Sequence, residues 1–235
     1  MVSCEGECDA RWRGCVAALI NLLRLAAAMR RFVTVSHTAD SSGDWTLNDL
    51  AAKAGRVDLL CRNIQSAFFL SHGLREDVEF YAVCAASPVR QKTVRIQGSA
   101  IQMLHPDERS TAARLQQALV ASWSVPDWKE VQKGLAVAAF GLEELLDDLK
   151  GKGTLVLLDP KGESIESWTP PADPIFLLSD HVPFSKAEYA HLAKLDAQRV
   201  SLGPHWYHGN HVMAIAQWHL DKHQAPVSSD ARNKR

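Results

Sequence analysis

The chain reads as an α/β protein, a mainly parallel sheet with helices on both faces. Strand-like and helix-like segments alternate from Arg31 to Asp221, which favours helices crossing over between parallel strands. The segment Glu79–Cys84 (EFYAVC) is nearly continuous in apolar residues, as a strand covered on both faces is. Three late strands each run straight into a turn: Thr154–Leu158 into Asp159-Pro160-Lys161-Gly162, Pro174–Leu178 into Ser179-Asp180-His181, and Arg199–Leu202 into Gly203-Pro204. In an open α/β sheet the carboxyl edge of the strands is where small ligands sit.

In chain order, Arg31–Val35 alternates into a strand, and His37–Asp44 has the composition of a polar, turn-forming loop. Arg56–Ser71 places Val57, Leu60, Ile64, Ala67 and Phe68 at helical spacing, with Asp58, Arg62 and Gln65 elsewhere on the wheel. Glu79–Cys84 and Thr93–Ile96 follow as strands. Asp107–Ser122 opens with acids after Pro106 and carries Ala112, Leu115, Ala118 and Leu119, so it predicts a helix with a proper start. Trp123–Lys133 is irregular and broken by Pro126. Leu135–Val137 is a short strand, and Gly141–Leu149 a helix stopped by Gly151 and Gly153. Ser185–Leu195 is helical, a last amphipathic helix follows Gly203-Pro204, and His223–Arg235 is polar enough to predict a disordered tail.

The 235 residues suffice for one domain with a sizeable core. A formal charge of −1 offers no global basic excess, so a nucleic-acid surface has to be a local patch. Five scattered cysteines suggest no disulfide framework and point to a reducing, cytoplasmic setting. Cys15–Met29 is too short and broken for a membrane span, and the acids before it do not suit a signal peptide.

His205, His208 and His211 form an HxxHxxH series, but spacing of three drifts around a helix and no Glu or Cys joins it, so no metal is expected. Asp58 and Arg62 lie four apart on one helix face, where an ion pair is the ordinary explanation and an RNA-facing role the functional one. Arg56, Arg75, Arg109 and Arg199 are phosphate contacts or plain surface charge.

One set of motifs is more specific. Gly55-Arg56-Val57-Asp58-Leu59-Leu60-Cys61-Arg62, Ala67–His72, Gly98-Ser99, Pro106-Asp107-Glu108-Arg109, Asp180-His181, Arg199–Pro204 and His208…Asn210-His211 occur in order between about Met29 and Asp221. This pattern resembles the archaeal tRNA pseudouridine N1-methyltransferase family of the SPOUT superfamily. The resemblance implies a SPOUT-type α/β knot with a C-terminal trefoil knot, a domain over 29–222 preceded by an extension at 1–28, and a homodimer with Trp218 at its interface. It implies transfer of a methyl group from S-adenosylmethionine to N1 of a pseudouridine, at T-loop position 54 of tRNA.

Leu158, Leu178, Ser179, Ser201, Leu202, Gly203, Pro204 and Val212 would hold the cofactor. Arg56, Arg62, Arg109, His208 and His211 would meet RNA, and Asp180 or Asp58 would take the N1 proton, with no choice between them. The chain departs from the family at Ser179 (usually glycine), Val212 (often cysteine), Glu76 (an arginine) and Ala138-Ala139 (basic residues). The rival readings are a different RNA pseudouridine as target and a non-catalytic SPOUT module.

Overall fold

The sheet is built around β1 (Arg30–Asp40), whose alternating side chains feed two separate cores. Phe32 points into one and stacks on Phe176 at 5.2 Å, while Val33 and Val35 point into the other. A strand buried on both faces is usually apolar, and β1 adds buried Arg30, Thr34 and Ser36 to its apolar positions. The structure is a computed structural model and describes residues 29–86, 90–121 and 127–223. The expected N-terminal extension, Cys4, Cys8 and Cys15, and the tail beyond His223 lie outside the described residues.

After β1 come α1 (Val57–Phe68), a small hairpin of β2 (Phe69–Leu70) and β3 (Gly73–Leu74), β4 (Val78–Ala86) and β5 (Lys92–Gln97). Then follow α2 (Glu108–Ala121), β6 (Lys129–Gln132), β7 (Leu135–Ala138) and α3 (Leu142–Asp148). The C-terminal third contains β8 (Thr154–Ser164), β9 (Pro174–Ser179), α4 (Lys186–Lys194), β10 (Gln198–Ser201) and α5 (Gly209–His223).

Eight strands form one sheet in the order β10-β8-β9-β1-β4-β5-β7-β6. Pairing is parallel from β10 through β4 and antiparallel from β4 to β6, so the parallel character belongs to the half that carries the late strand ends. Helices α1, α2 and α5 bury Leu60, Leu115 and Met213 in the first core. Helices α3 and α4 bury Leu145 and Leu192 in the second, and both faces are covered.

The structure moves several sequence-based boundaries. β1 runs on to Asp40, through half of the expected polar loop, because Ala39 is buried and Asp40 still pairs with Ala86 of β4. α1 stops at Phe68, where the next backbone turns extended into the β2–β3 hairpin. β6 lies in the segment expected to be irregular, as an edge strand whose half-exposed side chains leave little hydrophobic signal. β8 continues past Leu158 to Ser164, since its far end pairs with Val200 and Ser201 after a register shift. The last helix begins only at Gly209, which leaves 203–208 as a loop. His223 ends that helix rather than opening a tail.

Candidate active site

β8, β9 and β10 are parallel, and the carboxyl ends of β9 and β10 meet the register shift in β8 beyond Leu157 at one edge of the sheet. There, Leu158, Asp159, Leu178, Ser179, Leu202 and Gly203 surround a cavity of about 570 Å³, a size ordinary for a small-molecule site. Loop residues 205–208 with Gly209, Asn210 and Val212 of α5 form a second wall, and Arg56, Leu59 and Asn63 of the α1 region add to the lining.

Gly203 has φ +126, a conformation that suits glycine, and a Cβ built there would meet only the Tyr207 hydroxyl, 3.9 Å away. The loop backbone therefore borders open cavity at that residue. Its neighbour Ser201 does not line the cavity but fixes the turn: the Gly203 amide donates to its hydroxyl at 3.2 Å. Pro204 also stays outside the lining. Ser179 is not among the described residues with left-handed backbone, so serine in place of glycine strains nothing. Its hydroxyl donates to the Val182 carbonyl and ties down the loop after β9.

The two carboxylates expected to take a proton are both committed elsewhere. Asp180 lines the cavity, yet its side chain is 1% exposed. One of its oxygens accepts from Ser36 (2.8 Å) and Thr38 (3.3 Å), and the other from the Val182 amide (2.9 Å). This is a turn aspartate that anchors its own loop to β1. Asp58 does not line the cavity. Arg56 donates to both its oxygens at 2.9 and 3.0 Å, and Arg62 donates at 2.8 Å. Burial pushes the Asp58 carboxyl up, but the Arg56 hydrogen bonds and the two guanidinium charges outweigh it and hold the group below its usual range. In this arrangement both oxygens of each aspartate already accept a hydrogen bond.

Of the residues expected to meet RNA, Arg56 and His208 face the cavity. Arg62 is pinned between Asp58 and Glu108 (2.8 Å to each), Arg109 donates to Asn48, and the His211 ring lies 5.8 Å from that of His208; none of these three lines it. Sequence reasoning missed Asn63, Tyr189 and Trp206 as lining residues. Asp159, in the Asp-Pro-Lys-Gly stretch that reads as a turn but lies within β8, lines the cavity too. Asp159 accepts from the Lys161 amide and pairs with Arg199 at 3.0 Å.

Among the described residues no group of three or more His, Cys, Asp or Glu side chains could hold a metal ion. The described cysteines, Cys61 and Cys84, are free and buried, and burial pushes the Cys84 thiol up to about 12, so neither is a ready nucleophile.

Comparison with known proteins decides the family. Residues 29–225 match a family described as "Putative SAM-dependent RNA methyltransferase". The chain belongs to this family. It is 42% identical over 197 residues to the Haloarcula marismortui protein named tRNA (pseudouridine(54)-N(1))-methyltransferase, covering 82% of this chain and 96% of that one. A Methanocaldococcus jannaschii protein of the same name is 34% identical over 200 residues, covering 83% and 97%. Archaeoglobus fulgidus Nep1, in a crystal structure bound to S-adenosylhomocysteine, shares the fold with a TM-score of 0.56 at 12% identity, covering 83% of this chain and 98% of that one.

The cavity of this family member suits an adenosyl-methionine ligand: apolar walls at Leu158, Leu178, Leu202 and Val212, and loop backbone bordering open space at Gly203. The departures from the family pattern leave it intact. Val212 keeps an apolar wall. Ala138 and Ala139 are buried at the end of β7 and form no part of any RNA-facing surface.

Proposed function

We propose that this chain methylates N1 of pseudouridine in tRNA, at position 54 of the T-loop, with S-adenosylmethionine as donor. The observation that carries the reading is the cavity bordered by three parallel strands in a chain 42% identical to a protein of that name. Leu158, Leu178, Ser179, Leu202, Gly203 and Val212 hold the cofactor, with Ser201 and Pro204 shaping its loop. The sulfonium, when bound, supplies an electrophilic methyl group. The reaction yields the N1-methylated base, a neutral thioether and one proton.

Because N1 of pseudouridine is an imide-like N–H that loses its proton as the methyl transfers, positioning it in line with the methyl supplies much of the rate. Asp180 and Asp58 serve as positioning residues, Asp180 for the loop after β9 and Asp58 for Arg56. Arg56 and His208, at the cavity wall, contact the RNA.

The same reading includes a trefoil knot at the C-terminus. It is supported by β10 lying beyond β8 at the sheet edge while α5 returns to pack on α1, where Gln217 donates to the Ala67 carbonyl. The domain spans 29–222 and works in the cytoplasm. No described helix is long and apolar enough to cross a membrane.

The reading includes a homodimer as well. Trp218 on α5 is 58% exposed and Trp206 on the loop before it 79%, both large apolar surfaces that a second subunit would cover. Sedimentation should give twice the 25.9 kDa chain mass, and a monomer at micromolar concentration would remove the dimer from the proposal.

The reaction is tested with labelled S-adenosylmethionine and a T-arm RNA carrying either pseudouridine or uridine at the target position. Label should enter the pseudouridine RNA alone. Equal labelling of both would refute the N1 assignment, and no labelling of either would refute activity on this RNA.

A further inference from the structure

We propose that Asn63 is a specificity residue of the reaction, a buried carboxamide that reads the imide edge of the target base. The inference rests on reading the cavity as the site of pseudouridine N1-methylation. In that reading the strand-end loops and Val212 are taken up by the cofactor, and α1 gives the cavity a separate stripe of Arg56, Leu59 and Asn63. Their spacing of three and four puts them on one side of the helix. Exposure falls along the stripe. The Arg56 side chain is 37% exposed and open to a phosphate, whereas Asn63 is 4% exposed and meets only a group inserted into the cavity.

Little in the protein uses this carboxamide. Nδ2 donates to the Thr34 hydroxyl oxygen at 3.5 Å, the outer limit for such a bond. Oδ1 has no hydrogen-bond partner among the described residues. Gly209, the first residue of α5, leaves room for both amide atoms: a Cβ built there would sit 2.9 Å from Oδ1 and 2.9 Å from Nδ2. Buried polar groups are almost always paired, so an amide with spare donor and acceptor capacity on a cavity wall points to a ligand that completes it.

Pseudouridine carries the complement. With N1 turned toward the methyl donor, C4=O lies across the ring and N3–H beside it faces away from the cofactor. Oδ1 accepts from N3–H while Nδ2 donates to O4, two parallel bonds of the kind by which asparagine reads base edges. Enzymes that do chemistry on an unstacked base read its Watson–Crick edge in this way. The pair grips the ring at the side remote from N1 and so fixes N1 in line with the methyl group.

The test compares kcat/KM for methyl transfer to T-arm RNA carrying pseudouridine or N3-methylpseudouridine, which lacks the N3 donor and keeps N1–H. The unmodified chain should prefer pseudouridine by about thirtyfold, and Asn63→Ala by less than about threefold. S-adenosylhomocysteine affinity, read by calorimetry, should stay within about twofold. A second variant, Gly209→Ala, displaces the carboxamide without removing it, and Gly209 is not among the described residues with left-handed backbone, so alanine suits the chain there. It should flatten the same preference, and it decides alone if Asn63→Ala does not fold. A merely structural role would lower both rates equally, so an unchanged preference in folded variants overturns the assignment. A loss of S-adenosylhomocysteine affinity beyond about tenfold in folded Asn63→Ala would make Asn63 a cofactor contact and overturn it as well. Equal methylation of both RNAs by the unmodified chain overturns this inference alone, whereas methylation of neither, with S-adenosylhomocysteine still bound, overturns the proposed reaction together with it.

Discussion

At residue scale the decisive feature is the bend that brings Arg56 to the cavity. Gly55 and Arg56 both adopt left-handed backbone, φ 67 and 66, immediately before α1. A Cβ at Gly55 would sit 1.8 Å from the Thr38 carbonyl oxygen, so only glycine fits there. The Thr38 hydroxyl donates to the Gly55 carbonyl at 2.9 Å, locking the bend to β1. Arginine in this conformation costs of order 1 kcal/mol, a strain that suggests a role for the side chain it aims. Asp58 then fixes the guanidinium through two parallel hydrogen bonds, a planar geometry that lysine could not reproduce.

Arg62 is different, because it is shared between two carboxylates and does not line this cavity. Arg56→Ala should therefore weaken T-arm RNA binding about tenfold in fluorescence anisotropy, and Arg62→Ala by less than about twofold, with S-adenosylhomocysteine affinity kept in both. The reverse ranking would make Arg62 the RNA contact and return Arg56 to a structural role.

At the scale of elements, the sequence was readable where burial is two-sided and opaque where it is not. β4 and β9 show themselves through nearly unbroken apolar runs, β1 through alternation over Arg31–Val35, and α2 through its proline-and-acid start. β6 does not, because an edge strand with half-exposed Lys129, Glu130 and Gln132 has no periodic apolar signature. The far end of β8 was equally hidden: Asp159-Pro160-Lys161-Gly162 has turn composition, and only pairing with the distant β10 extends it. Gly162 belongs there because a Cβ would lie 2.4 Å from the Arg199 carbonyl carbon.

For the site, strand-end turns were legible as a ligand edge, and most of the proposed cofactor residues do line the cavity. The partners of Asp180 and Asp58 were not legible. Ser36, Thr38 and Arg56 are fixed by long-range packing, which spacing along the chain does not encode. The last helix illustrates the same point. Arg30, nearly buried, reaches Asp77 at 2.9 Å, Asp221 at 2.7 Å and Gln217 at 2.6 Å, and Arg75 grips Asp221 as well. This network ties α5 to the foot of β1 and so holds the 203–208 loop and Val212 against the strand ends.

For the molecule as a whole, these ion pairs make stability depend on pH in a definite direction. Burial pushes the carboxyls of Asp58, Glu79, Asp159 and Asp221 up, but hydrogen bonds and arginine charges overcompensate, leaving all four below their ordinary values. The unfolded chain then binds more protons in acid, so their stabilisation is complete above the unfolded carboxylate range near pH 4 and is lost as pH falls through the depressed folded values.

His219 acts in the same direction at higher pH. It is buried against Trp168, with ring centroids 5.8 Å apart and Nε2 3.1 Å from the Trp168 carbonyl oxygen. Burial, followed by the charges of His223 and Lys222, lowers its pKa from 6.5 despite the opposing bond to Trp168. A base with a lowered folded pKa contributes stability above its unfolded pKa and loses it as pH falls below that value. The melting temperature should therefore be level above about pH 7, decline gently toward about pH 5 and drop steeply below about pH 4. His219→Phe keeps the stacked ring and removes the titration, so the difference between the two melting curves isolates this histidine. Curves that stay parallel from neutral pH to about pH 5 would show that its titration does not reach the folding equilibrium.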